Sequence, residues 1–246
     1  MRSSWTARLP PTLGSTRRPR IAVLVFPGSN DHADAAWALQ ALGAESVLVW
    51  HAEPELPAVE GVVLPGGFSY GDYLRCGALA RFAPAMQALL PFAWAGGLVL
   101  GICNGFQILC EAGLLPGVLR PNDSLEFVCR DARIVVERAD TPFTRRCRAG
   151  QHLTVPVKHG VGCYFADADL LARLERNNQI VLRYESGDNP NGSVADIAGV
   201  SDESSRILGL MPHPEHAVDP LLGSGDGALI LASFVEAARE QLPLAA

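Results

Sequence analysis

Residues 98–113 read LVLGICNGFQILCEAG. The apolar run from Leu98 to Ile102 stops at Cys103, and an amphipathic segment begins at Asn104 with no spacer. This reads as a strand, a one-residue elbow and a helix. A thiol at such a corner stands above a sheet edge, beside the N–H groups and positive dipole end of the new helix, which favours thiolate. Gly101 and Gly105 flank the turn and let backbone pass close to the cysteine. The pattern G-x-C-x-G is the thiol counterpart of the nucleophile elbow G-x-S-x-G, in which a strained turn exposes the side chain. A cysteine taken alone is more often a small buried hydrophobe, and Cys110 on the same helix fits that reading.

Upstream of this stretch, strand and helix alternate. Apolar runs at 20–26, 46–50 and 61–64 read as short strands. Helical periodicity covers 31–42, and helical segments interrupted by Pro84 and Pro91 run to about residue 94. Nearly all-apolar strands separated by helices predict an α/β fold with a mostly parallel central sheet covered by helices on both faces. Function in such sheets lies at the carboxyl ends of strands. The loops at 27–30 and 65–77 and the corner at Cys103 therefore belong on one rim. Downstream the texture changes. Runs at 127–129, 133–137, 153–157, 180–184 and 194–200 are strand-like, 168–177 is helical, 206–211 is one more apolar strand and 226–241 a closing helix. These predict additional antiparallel strands in the second half of one domain, residues 20–246.

With 246 residues, 48% hydrophobic and 19% charged, the chain can bury a full core without disulfides or metal. The formal charge of −6 conceals an asymmetry, because the first twenty residues hold Arg2, Arg8, Arg17, Arg18, Arg20 and no acid. The remainder is acidic and offers no basic surface for nucleic acid. No apolar run approaches the roughly 20 residues that cross a bilayer. Residues 1–19 resemble a transit peptide in composition, but Pro10, Pro11 and Pro19 break an amphipathic helix and a secretory apolar region is absent. They are expected to form a disordered or flexible basic extension, or to reflect a start assigned too early. Six cysteines (76, 103, 110, 129, 147, 163) without a C-x-x-C pair or regular spacing read as free thiols of a cytoplasmic protein.

Two further elements could join Cys103. His213-Pro214-Glu215 follows the strand at 206–211. Alternation along an extended backbone would put His213 and Glu215 on one side, where the carboxylate can fix the ring's tautomer and stabilise the imidazolium. The alternatives are a solvent-facing turn, or a metal site of His213, Glu215 and His216, against which the prolines and the lack of further ligands argue. Pro65-Gly66-Gly67-Phe68 is either an ordinary turn or a source of backbone N–H groups for an oxyanion, since no Cβ crowds the approach. Each element is weak alone. Their convergence on one rim is a stronger signal.

Four segments, PGGFSYGDYLRCGALARF (65–82), LGICNGFQIL (100–109), NGSVADIAGV (191–200) and GLMPHPEHAVD (209–219), resemble the class I, triad-type glutamine amidotransferases, whose fold is flavodoxin-like. More narrowly they resemble the glutaminase subunit of phosphoribosylformylglycinamidine synthase, with the 65–82 loop as the specific part. The likeness runs from about residue 20 to about residue 240. It implies that Cys103 is the nucleophile, His213 the base and then acid, and Glu215 the orienting carboxylate. Backbone N–H groups of Gly67 and Asn104 would form the oxyanion hole. Gly66, Gln107, His159 and Gly160 would bind L-glutamine. The resemblance further implies a large synthetase subunit using ATP and magnesium, and a small accessory subunit, as partners. No cofactor or metal is expected in this chain, which has neither G-x-x-x-x-G-K-[ST] nor a G-x-G-x-x-G after a strand. Members of that family usually carry arginine at the position of His216 and often cysteine near Asp31; neither position is expected to touch the triad, and the His216 change puts local charge and a partner contact in question. Rival readings are the glutaminase of another amidotransferase, a stand-alone cysteine hydrolase of the same fold, and a scaffold subunit without turnover.

Overall fold

The computed structural model describes residues 17–242. The expected basic extension at 1–19 lies, apart from 17–19, outside them. In chain order the elements are β1 (Arg20–Val25), α1 (His32–Ala41), β2 (Glu45–Trp50), β3 (Gly61–Leu64), α2 (Pro84–Trp94), β4 (Leu98–Ile102) and α3 (Asn104–Glu111). There follow β5 (Val118–Arg120), β6 (Val128–Val136), β7 (His152–His159), β8 (Cys163–Phe165), α4 (Ala168–Arg176), β9 (Ile180–Tyr184), β10 (Ile197–Ser201), β11 (Ile207–Leu210) and α5 (Gly227–Arg239).

Nine strands form one sheet in the order β2-β1-β3-β4-β11-β10-β9-β6-β7. The first five are parallel and the rest antiparallel. The parallel strands read as unbroken apolar runs because both of their faces are covered, and β3 and β4 are buried at every position. Phe106 of α3 packs over Gly209 on one face, and Phe234 of α5 packs over Gly61 on the other. The decisive topological step is the late strand β11. It inserts beside β4, Leu210 opposite Ile102, so the chain leaving β11 emerges next to the corner at Cys103. Two segments more than a hundred residues apart are thereby brought to one rim.

Several details differ from the sequence reading. Pro84 opens α2 at its first turn, where its missing N–H costs nothing, and Pro91 sits inside a helix that continues past it. The runs at 127–129 and 133–137 are one strand, β6, whose exposed Cys129–Asp131 interrupts the apolar pattern without interrupting the pairing to β7. The run at 194–200 begins as a 3₁₀ turn before β10. The small β5–β8 ladder was not anticipated. Among the described residues no helix is long and apolar enough to cross a membrane.

Candidate active site

The elbow is a strained corner. Cys103 has φ 51° and ψ −104°, a region a non-glycine residue occupies at a cost of about 1–3 kcal/mol. The corner is held by its own N–H, which donates to Leu210 O at 2.8 Å, and by the close approach of Gly105 to the Leu64 carbonyl, where a Cβ would not fit. The side chain opens into a cavity rather than bulk solvent, with 5% of the residue exposed. That burial corrects the expectation of a resting thiolate. It pushes the thiol well above its ordinary range, and the Asp31 and Glu215 carboxylates push further the same way. The Asn104 N–H at the helix start and Lys158 act in the opposite, expected sense but are outweighed.

His213 and Glu215 do come together, though not by strand alternation. Pro214–His216 form a 3₁₀ turn with Pro214 at its first position, and the tightness of that turn brings the two side chains round to each other. His213 Nδ1–H donates to Glu215 Oε1 at 2.7 Å, both residues being essentially buried. This fixes Nε2 as the acceptor, and Nε2 is buried with no hydrogen-bond partner among the described residues. The backbone of His213 is anchored by its N–H to Pro156 O at 2.8 Å. Cys103 and His213 line a common cavity of about 170 Å³ with Asp31, Gly67, Phe127 and Lys158.

Gly67 stands at the mouth of this cavity with φ 146°. A Cβ there would lie 2.5 Å from Gly28 O and 2.6 Å from Asn30 N, so the position requires glycine. Gly66 lines neither this cavity nor its neighbour. It packs against Asp31 and His213, and its carbonyl accepts the Asp31 N–H at 3.2 Å. The Asn104 side chain accepts from Ser69 N–H at 3.1 Å and donates to Gln107 Oε1 at 2.8 Å. It thereby ties the helix start to the 68–77 loop, in which Tyr70, Gly71, Asp72, Leu74 and Gly77 all adopt positive φ.

An adjoining cavity of about 100 Å³ is lined by Cys103, Gln107, His159, Gly160 and Val161. Gln107 Nε2 donates to Val161 O at 2.6 Å. His159 Nε2 accepts from Asn191 Nδ2 at 3.0 Å, which leaves the proton on Nδ1, a buried atom without a partner among the described residues. Burial, and secondarily the nearby His213, drive His159 down to about 3, so the ring is neutral at any pH near 7. A larger concavity of about 580 Å³ at the far end of β7, lined by Arg146, Arg148, Gln151 and Leu229, holds no nucleophile or base.

Sequence reasoning missed Lys158 and expected Asp31 and His216 not to touch the triad, whereas both lie against it. Asp31 Oδ2 lies 3.6 Å from His213 Nδ1, and Lys158 Nζ reaches Asp31 Oδ1 at 2.5 Å. His216 Nε2 lies 3.5 Å from Asp31 Oδ1 and 3.6 Å from Glu215 Oε1, at ion-pair distance without hydrogen-bond geometry. Burial would raise the Asp31 carboxyl, but His216, His213 and Lys158 together hold it well below the usual carboxylate range. Asp31, in turn, raises His216. Ligand-type atoms of Asp31, His213, Glu215 and His216 lie within 4.8 Å of one another, the spacing of a metal site. The Lys158 ammonium already compensates the Asp31 carboxylate, and His213 Nδ1 is committed to Glu215. The available signal was position: Asp31 directly follows the rim loop at 27–30, and Lys158 directly precedes His159 and Gly160, which the resemblance places in the glutamine pocket.

A buried thiol, an imidazole with one free nitrogen, a carboxylate behind it and glycine backbone at the cavity mouth form a set suited to acyl transfer through a thioester. The model of the CobB/CobQ-like glutamine amidotransferase domain matches residues 18–225. The phosphoribosylformylglycinamidine synthase subunit PurQ of Rubrobacter xylanophilus is 58% identical over 220 residues, covering 89% of this chain and 99% of the relative. That of Frankia casuarinae is 57% identical, covering 88% and 93%. The structure of PurLQS from Thermotoga maritima contains a chain matched with a TM-score of 0.82 and 43% identity, over 89% of this chain and 99% of that one. The chain belongs to the PurQ family of glutamine amidotransferases.

Proposed function

We propose that this chain is the glutaminase subunit of a phosphoribosylformylglycinamidine synthase, and that Cys103, His213 and Glu215 carry the reaction. The observation that supports the triad is the orientation of His213: Nδ1 is bound to Glu215, and Nε2 is the unpartnered edge of a ring that shares a cavity with the Cys103 sulfur. Because the resting thiol is protonated, attack needs a base. His213 Nε2 takes the Sγ proton as sulfur bonds to the side-chain amide carbon of L-glutamine. The carbonyl electrons move onto oxygen, which the N–H groups of Gly67 and Asn104 receive. Collapse breaks the carbon–nitrogen bond, His213 returns its proton to the departing nitrogen, and ammonia leaves a thioester. Water, deprotonated by His213, attacks that carbonyl. The regained proton goes to sulfur and glutamate departs. Gln107, His159 and Gly160 wall the adjoining cavity, which is where we place the substrate, while Gly66 packs behind the imidazole instead.

The ammonia passes to the synthetase subunit, where ATP and magnesium support conversion of formylglycinamide ribonucleotide to its amidine. A small accessory subunit completes the complex, and the setting is the cytoplasm. The apolar surroundings of the site support a docked partner. Phe68 and Phe127 are 6.4 Å apart at the cavity mouth, and Tyr73, Leu74 and Leu125 beside it are each more than 70% exposed. The test is glutamate and ammonia release by the full chain with and without its co-purifying synthetase. Release is expected to be low alone, to rise on complex formation and to vanish in folded Cys103→Ala. Turnover that persists in Cys103→Ala would remove the nucleophile, and rapid turnover indifferent to the partner would remove the coupling.

A further inference from the structure

Asp31 has no place in the three-residue scheme, yet it is 3% exposed, stands at the carboxyl end of β1 and faces both partners of the proton transfer. Its Oδ2 is 3.6 Å from the His213 nitrogen that binds Glu215, so the imidazole edge meets two carboxylates. Its Oδ1 is held by Lys158 at 2.5 Å, which fixes the carboxylate in position and keeps it ionised. Its backbone is equally fixed, the N–H donating to Gly66 O and the carbonyl accepting from Ala35 N–H at 2.9 Å. Gly66 has to be glycine for this contact, because a Cβ would fall on the Asp31 carboxylate and the imidazole.

We propose that Asp31 is a positioning residue with two opposed effects: it keeps the Cys103 thiol protonated in the resting enzyme, and it holds the imidazolium of His213 once sulfur is bound to carbon. This rests on the catalytic reading given above. A fixed negative charge resists a second negative charge on sulfur and favours a positive charge on the ring beside it. Before attack the two effects oppose each other. In the tetrahedral intermediate the sulfur is no longer ionisable, the negative charge has moved to the carbonyl oxygen, and only the favourable effect on imidazolium survives. The free enzyme thus carries a thiol of low reactivity, and the same carboxylate stabilises the intermediate reached once His213 has taken the Sγ proton and sulfur is bound to carbon. The other groups acting on the sulfur are Glu215 and His213 from the turn after β11, Lys158 from β7, the Asn104 N–H and, from β9, Tyr184. Lys158 and His213 also face Asp31, as does His216, so replacing Asp31 unpairs the Lys158 ammonium, whose effect on the thiol has the same downward sign as the loss of the carboxylate.

The test uses two readouts with opposite expected signs. In full-length Asp31→Asn, alkylation of Cys103 by iodoacetamide, followed by peptide mapping against the other five cysteines, is expected to move its pH midpoint down by about one unit. Glutaminase kcat in complex with the synthetase is expected to fall about tenfold, with KM within about twofold. Asp31→Ala, which removes charge and volume together, is expected to give the same opposed pair, and Asp31→Glu to recover part of both. A loss of alkylation and turnover together, or no change in either, would overturn the role of Asp31 and leave the triad standing. Undiminished turnover in Cys103→Ala, run alongside, would instead overturn the triad.

Discussion

Four of the five parallel strands end in corners that carry site residues, whereas the antiparallel arm ends in side chains that close a cavity. Cys103 follows β4, Gly67 follows β3, Asp31 follows β1 and His213 follows β11, all at carboxyl ends on one rim. The arm contributes Lys158, His159, Gly160 and Val161 where β7 turns back over that rim. The difference separates chemistry from enclosure. Groups proposed to bond to or exchange protons with substrate follow the parallel strands, and other groups that line the pocket lie on the added arm. Kinetic effects of substitution should divide along the same line, with losses in kcat on one side and losses in KM on the other.

The largest expected effect is on the rim. Cys103→Ala and His213→Ala are each expected to lower kcat by about 10⁴-fold or more, measured as glutamate release by the complex. Glu215→Gln preserves shape but removes the charge behind His213, and a loss of about 10²–10⁴ in kcat with little change in KM is expected. A comparable KM effect there would erase the distinction. On the enclosing side, Gln107→Ala is expected to raise KM for glutamine about tenfold while kcat stays within a few-fold. Gln107 lies on α3 but points into the walled cavity through its bond to Val161 O, so it sharpens the comparison by following cavity rather than strand.

His159 gives a prediction about stability. Its folded value of about 3 lies below the ordinary 6.5, so between those two the unfolded chain binds a proton that the folded chain refuses. Stability from this residue is therefore complete above pH 6.5 and is lost as pH falls through the window. Denaturant titration is expected to give a loss of up to about 2 kcal/mol from this group between pH 6.5 and 5, absent in His159→Gln. The smallest effect is expected at Cys110, seven residues beyond Cys103. Its thiol is also raised by burial, but it sits in the helix with Pro116 O as its nearest partner, and Cys110→Ala should leave kcat within twofold.

The same division explains what could be read from sequence. β1, β3 and β4 were legible because strands buried on both faces are uniformly apolar and are bounded by glycine and proline. β6 was not, because its exposed Cys129, Arg130 and Asp131 break the apolar run while the ladder to β7 continues. Cys103 and Gly67 could be placed on one rim from alternation alone. His213 was assigned to the same rim because it too follows an apolar strand, but its place directly beside Cys103 depends on β11 inserting next to β4, which chain order does not specify. The state of the thiol was misjudged for a related reason. The helix start is local and visible in sequence, but burial and the Asp31 carboxylate come from distant segments, and they outweigh it.

The most direct test of the account is to quench the complex in acid during glutamine turnover and map the cysteine peptides by mass. A γ-glutamyl adduct is expected on the peptide containing Cys103 and on none containing the other five cysteines. An adduct on a different cysteine, or continued turnover with no adduct on any, would contradict it.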